Sequence, residues 1–200
     1  MKVTPRLGIG PQLYKSFHDG VNLIAESDRA VVLIIANDIE NALEAVFLKV
    51  FDDRLNKQLT KDLFDFSGPL GTYSAKFKMA YAFGFIDKVL YDDLDRLRKM
   101  RNDVAHSSSE FSFDDNDTEQ KLLTFGPFKE LHTQWRATTL ATQLSGETVS
   151  DFVARTVSVN KICVLQMLGL FKKLVDEKAA SVKPATDLLP GSPQAFVLGV

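Results

Sequence analysis

The chain is poor in the residues that most often announce a chemistry. It has one cysteine among 200 residues, Cys163, so an intramolecular disulfide is excluded, and that cysteine reads as a small buried hydrophobe in a reducing cytoplasm. Its three histidines, His18, His106 and His132, stand far apart, and none has a companion at metal-ligand spacing. Basic residues are not in excess. The 24 Lys and Arg against 26 Asp and Glu leave a formal charge of −2, which argues against nonspecific phosphate binding and so against direct contact with DNA. The start of the chain carries no continuous apolar segment, so the expectation is neither a secretory signal nor an anchor there. The longest apolar run, from Ile162 to Phe171, is interrupted by Gln166 and falls short of the ~20 residues a membrane span requires. Gly8-Ile9-Gly10 lacks both a preceding strand and the third glycine of a dinucleotide fingerprint.

What the chain does have is helical periodicity. Pro11 suits a first helical position, and Leu13, Tyr14, Phe17, Val21 and Ile24 mark an amphipathic helix to about Ala25, with His18 at its boundary. Ser27 and Asp28 then open a helix that is apolar on most of its circumference from Ala30 to Phe51 and should be central. Its acids Asp38, Glu40 and Glu44 lie at i, i+2 and i+6 without a histidine, which suits a solvated strip pairing with bases on a later helix better than a metal site. A short helix is expected within residues 52–65.

The most informative stretch is 66–107. Phe66-Ser67-Gly68-Pro69-Leu70-Gly71 reads as a tight turn whose two glycines are free to take positive φ. Thr72 or Ser74 can cap the next helix, where Phe77, Ala80, Tyr81 and Gly84-Phe85 recur at helical spacing. Ile86, Leu90, Leu94, Leu97, Met100 and Val104 then line a second helix that ends at His106 before a serine run. Residues 107–118 read as a loop, 118–124 as a short helix closed by Gly126-Pro127, and 128–144 as a helix. A long apolar helix is expected from about Thr148 to Lys178, and the Pro- and Gly-rich residues 181–200 read as a disordered tail. The expected fold is therefore all-α, a single-domain multi-helix bundle over residues 1–180 with two long apolar helices and a flexible tail over 181–200.

The strongest constellation of polar residues is Asp95, Arg98, Arg101, Asn102 and His106. Arg98, Arg101 and Asn102 share a helix face with Asp95, whereas five residues place His106 about 140° from Arg101, so those two meet only if the helix unwinds or across a dimer. Three readings stay open for this set: ion pairs within the bundle, a regulatory binding surface, and a catalytic centre.

Gly68-Pro69-Leu70, Ser74-Ala75-Lys76, Ala80-Tyr81, Leu94, Leu97-Arg98 and Arg101-Asn102-Asp103-x-Ala105-His106-Ser107, with Ser27-Asp28-Arg29-Ala30 and Leu43-Glu44 upstream, resemble the mannitol operon repressor family. The resemblance implies an all-helical, dimeric transcriptional regulator or co-repressor that lacks a DNA-reading motif and acts through a protein partner. No cofactor or metal is expected. Nested in it, Arg101-Asn102-x-x-x-His106 looks like the signature of HEPN domains, many of which are metal-independent ribonucleases. That resemblance would make His106 the group that handles the 2′-hydroxyl proton, Arg101 the stabiliser of phosphate charge, and Asn102 an orienting residue, with RNA as substrate. The expectation taken forward is a cytoplasmic, homo-oligomeric regulator without intrinsic enzyme activity, with the ribonuclease as the alternative.

Overall fold

The computed structural model describes residues 23–51, 55–143 and 157–183, and every described element is a helix or a connecting turn. No described helix is long and apolar enough to cross a membrane. The helices are α1 (Asp28–Phe51), α2 (Lys57–Phe64), α3 (Tyr73–Ala82), α4 (Lys88–His106), α5 (Asn116–Leu122), α6 (Gly126–Gln143) and α7 (Val159–Ser181). The chain gathers into two compact units. Described residues 23–31, 111–143 and 157–169 belong to the first, and 32–51, 55–110 and 170–183 to the second.

In the second unit α1 supplies the largest share of the core of any helix, with Val32, Ile35, Ala36, Ile39, Leu43, Val46 and Phe47 buried. These recur at three- and four-residue steps, which is how a helix turns a continuous face inward. Thr72 caps α3, its side chain accepting from the Ala75 amide at 3.1 Å. Phe77 and Ala80 of α3 are buried, and Phe77 meets Tyr91 of α4 edge to face at 5.5 Å. Helix α3 ends earlier than the apolar spacing predicts. Phe83 is its C-cap and Gly84 adopts φ +69°, a left-handed step that reverses the chain into α4 and that glycine takes without steric cost. Asp87 then caps α4 by accepting from Leu90 N at 2.8 Å, and Leu90, Leu94, Leu97, Met100 and Val104 are buried as the sequence predicts.

The glycines of the 66–71 turn have a different reason from the one expected. Neither takes positive φ; both sit where the chain passes over its own backbone. A Cβ on Gly68 would lie 2.4 Å from the Asp62 carbonyl oxygen, and one on Gly71 would lie 1.9 Å from that of Asp65. The turn is closed by Leu70 N donating to Leu63 O at 2.9 Å and Gly71 N to Gly68 O at 3.0 Å.

In the first unit Asp28, at the start of α1, accepts from Phe113 N at 2.8 Å and from Lys161 Nζ at 3.2 Å. Asn160 donates to the Phe113 carbonyl at 3.0 Å, so the residues around Phe113 are held at both faces of their backbone. Helix α5 begins at Asn116, inside the stretch expected to be loop, and Gly126-Pro127 opens α6 instead of closing α5. Helix α7 also begins later than expected: Ser158 caps it, accepting from Lys161 N at 3.1 Å, so no helix runs unbroken from Thr148 to Lys178. The expected helix over Pro11–Ala25 survives at residues 23–25, and the rest of it, His18, the start proposed at Thr148 and the tail beyond Lys183 lie outside the described residues.

Candidate functional site

The polar residues of α4 fall into ion pairs. Arg98 donates through Nε and Nη2 to Asp95, both at 2.9 Å, and Lys99 reaches the other oxygen of the same carboxylate at 2.9 Å. Two residues earlier Arg96 holds the buried Asp93 at 2.7 Å. These are helical i, i+3 and i, i+4 partners, so the pattern of the sequence alone dictates them. The two aspartates differ in environment. Burial pushes the Asp93 carboxyl above its usual range, and the Arg96 hydrogen bond offsets this only in part. At Asp95 burial also acts upward, but the hydrogen bonds from Lys99 and Arg98 outweigh it and hold the carboxyl below the usual range.

Beneath this face lies a group that the sequence does not advertise. Lys76 of α3 is nearly buried and bridges two carboxylates of α1, Glu40 at 3.1 Å and Glu44 at 2.9 Å. Arg101 of α4 faces the second oxygen of Glu40 at 3.6 Å, beyond hydrogen-bonding range. Glu40 therefore stands between α3 and α4, and the strip of acids expected to be solvated is half buried at Glu40. Its pairing with a base of the 88–106 helix does occur, through Arg101. The Tyr73 ring enters the same place from α3. Its hydroxyl is buried without a hydrogen-bond partner among the described residues, and its acidity is suppressed by burial and by the Glu40 charge.

Of the residues singled out from sequence, Asp95, Arg98 and Arg101 take part in these pairs, while Asn102 and His106 are exposed. Helix α4 stays helical through His106, so Arg101 and His106 remain about 140° apart around it and share no face within one chain. Lys76 escapes sequence reasoning as a site residue because its partners are 36 and 32 residues away, and only its place inside an apolar stripe hints at burial. His132 likewise has unforeseen company in the first unit. Its ring stacks on Phe128 at 5.4 Å, and Nε2 accepts from Arg136 Nε at 3.2 Å with Glu119 at 3.4 Å. Among the described residues no three His, Cys, Asp or Glu side chains gather where a metal could be held.

Fold and site together define an all-helical protein whose concentrated charge is engaged in ion pairs between and along its helices. The sequence profile of the family described as "Mannitol repressor" matches residues 24–164, and the chain belongs to that family. It is 31% identical over 106 residues to proteins named mannitol operon repressor from Escherichia coli strain K12 and from strain O6:H1, a match covering 52% of this chain and 51% of each relative. The chain thus spans about half the length of the curated relatives it matches. Its fold is similar to that of a chain in the X-ray structure of the MtlR-HPr complex from Escherichia coli, with a TM-score of 0.61 at 18% identity, covering 81% of this chain and 99% of that one.

Proposed function

We propose that this chain is a cytoplasmic transcriptional regulator or co-repressor of the mannitol repressor type, working as a homo-oligomer and through a protein partner instead of reading DNA itself. The observation that carries this reading is the state of the cations on α4. Arg96, Arg98, Lys99 and Arg101 make the best basic face in the sequence, and each faces a carboxylate of its own chain: Asp93, Asp95 or Glu40. A phosphate track needs cations that counterions can leave; these are already neutralised by fixed acids. The exposed Asn102 and His106, four residues apart on one face of α4, are the surface assigned to the partner.

The structurally similar chain comes from a complex with HPr, which makes HPr the first partner to try. Calorimetric titration of the purified full chain with HPr should give saturable binding that weakens in Asn102→Ala and His106→Ala. Binding to operator DNA that steepens as salt is lowered, with no response to HPr, would overturn the reading. Light scattering at micromolar concentration checks the oligomer: a monomeric mass removes that part of it. The ribonuclease alternative requires Arg101 and His106 to meet across two copies. It predicts cleavage of single-stranded RNA in EDTA that disappears in His106→Ala.

A further inference from the structure

Within the second unit an apolar groove lies where the start of α4 meets the end of α7. Phe85, Ile86 and Leu90 line it from one segment and Leu174 from the other. Leu174 is 41% exposed, and Phe85 stacks at 5.6 Å on Phe83, itself 55% exposed, so the apolar surface continues beyond the groove. Three of the four polar side chains at the rim are already engaged. Asp87 caps α4, Glu177 pairs with Lys173 at 3.7 Å, and the Ser181 hydroxyl donates to the Lys178 carbonyl at 2.9 Å. At about 290 Å³ the groove falls at the lower edge of small-molecule sites, which run from ~300 Å³ upward, and its lining supplies few polar groups to orient such a ligand. It suits apolar side chains instead.

The chain leaves the described structure beside this groove. Ser181 is both the last residue of α7 and part of the lining, and the helix end is fixed by Val182 N donating to Lys178 O at 3.0 Å and by the Lys49 bond to Ala180. Residues 184–200 follow, and from Leu188 onward they carry no charged side chain. Leu189-Pro190-Gly191-Ser192 has proline and glycine at the two central positions where a type II turn favours them, so the sequence predicts a chain reversal there. Lys183 and Leu198 stand about equally far from that turn, which directs Phe196-Val197-Leu198 back toward the end of α7. We infer that Phe196-Val197-Leu198 occupies the groove of its own chain, with residues 184–195 as the tether. A short tether holds the segment at an effective concentration on the order of millimolar, which favours it over a free apolar peptide of equal affinity. An uncharged segment meets an apolar floor, and placing the Phe196 ring against Phe85 and Leu174 takes apolar surface of both sides out of water.

The occupant belongs to the same chain, so the inference stands apart from the partner reading above. NMR of the full chain with labelled Phe rings and Leu methyls tests it. NOEs from the Phe196 ring to the Leu174 and Leu90 methyls are expected, unchanged on about tenfold dilution and absent between differently labelled copies in a mixed sample. The Phe196 signals are assigned by their loss in Phe196→Ser, a change outside the described structure that should also shift the Leu174 methyls. Leu174→Asp puts a charge at an exposed position of the groove, so the helices should fold and the segment should be released. Its Phe196 shifts should then match those of a free peptide of residues 184–200, and chymotryptic cleavage after Phe196 should accelerate about 10-fold. Free-peptide shifts for Phe196 in the parent, NOEs found only between copies, or NOEs that persist in Leu174→Asp would each overturn the assignment.

Discussion

Lys49 of α1 and Ala180 of α7 are joined across 131 residues of sequence: the lysine ammonium donates to the Ala180 carbonyl at 2.9 Å and to the Ala179 carbonyl at the same distance. The last carbonyls of a helix have no partner within it and carry the negative end of its dipole, so a cation there satisfies both needs. Replacing it by methionine keeps the aliphatic stem and removes the donor. Lys49→Met should lower stability by about 1 kcal/mol in urea unfolding, with backbone amides near Ser181 exchanging faster than in the parent.

Two glycines invite losses of different size, and for different reasons, from the same substitution. Gly84→Ala places a Cβ in open space and only strains the left-handed backbone, costing about 1–2 kcal/mol. Gly71→Ala drives a Cβ into the Asp65 carbonyl, so the turn itself must move, and the loss should exceed about 3 kcal/mol or prevent folding. Equilibrium urea denaturation of the two variants side by side compares the cost of close approach at the 66–71 turn with that of positive φ between α3 and α4.

Asp95 and Asp93 should give stability–pH profiles of opposite sign. Asp95 titrates below its unfolded value, so its contribution is fully present above the ordinary carboxylate range and is lost as pH falls through the depressed folded value. Wild type should therefore exceed Asp95→Asn at neutral pH, with the gap closing below about pH 4. Asp93 titrates above its unfolded value, so acidification favours the folded form and wild type should gain on Asp93→Asn as pH falls. Thermal melts of the three proteins between pH 3 and pH 7, as a rough working range, read both trends.

Cys163 is fully buried, and burial pushes its thiol up to about 11, so it is neither accessible nor ionised at neutral pH. Its reaction with a disulfide reagent should proceed at the rate of opening of the first unit and accelerate in urea along with loss of helix. Fast labelling of the native protein would contradict this burial.

Helix α4 is legible almost residue for residue because each level agrees: Asp87 as cap, apolar residues at helical steps, bases and acids paired at i+3 and i+4, and Ser107 after the last turn. Its ion pairs, apart from that of Arg101 with Glu40, are local, so they too can be read from spacing. What cannot be read is separated in sequence. Nothing in the neighbourhood of Lys76 says that it reaches Glu40 and Glu44, and a lysine is ordinarily a surface residue. Sequence pattern misplaces the start of α7 because Val149, Phe152, Val153 and Val157 continue the apolar rhythm and no proline or glycine interrupts it. Only Ser158, a cap residue inside that rhythm, marks the break. The glycines of the 66–71 turn are required, as the sequence suggests, but for another cause, since backbone crossing leaves no mark on sequence that distinguishes it from positive φ.

Each of the two units is assembled from segments far apart in the chain, and this has a consequence for synthesis. The first unit needs both the start of α1 and residues up to 169, and the second is completed by residues 170–183, including the carbonyls that Lys49 caps. A ribosome releases the chain from its N-terminus, so α1 and α4 emerge long before the helix that completes either unit. Helices α3 and α4 can meet α1 as soon as they emerge, whereas the carbonyls that Lys49 caps are made only with α7, after every other part of the second unit.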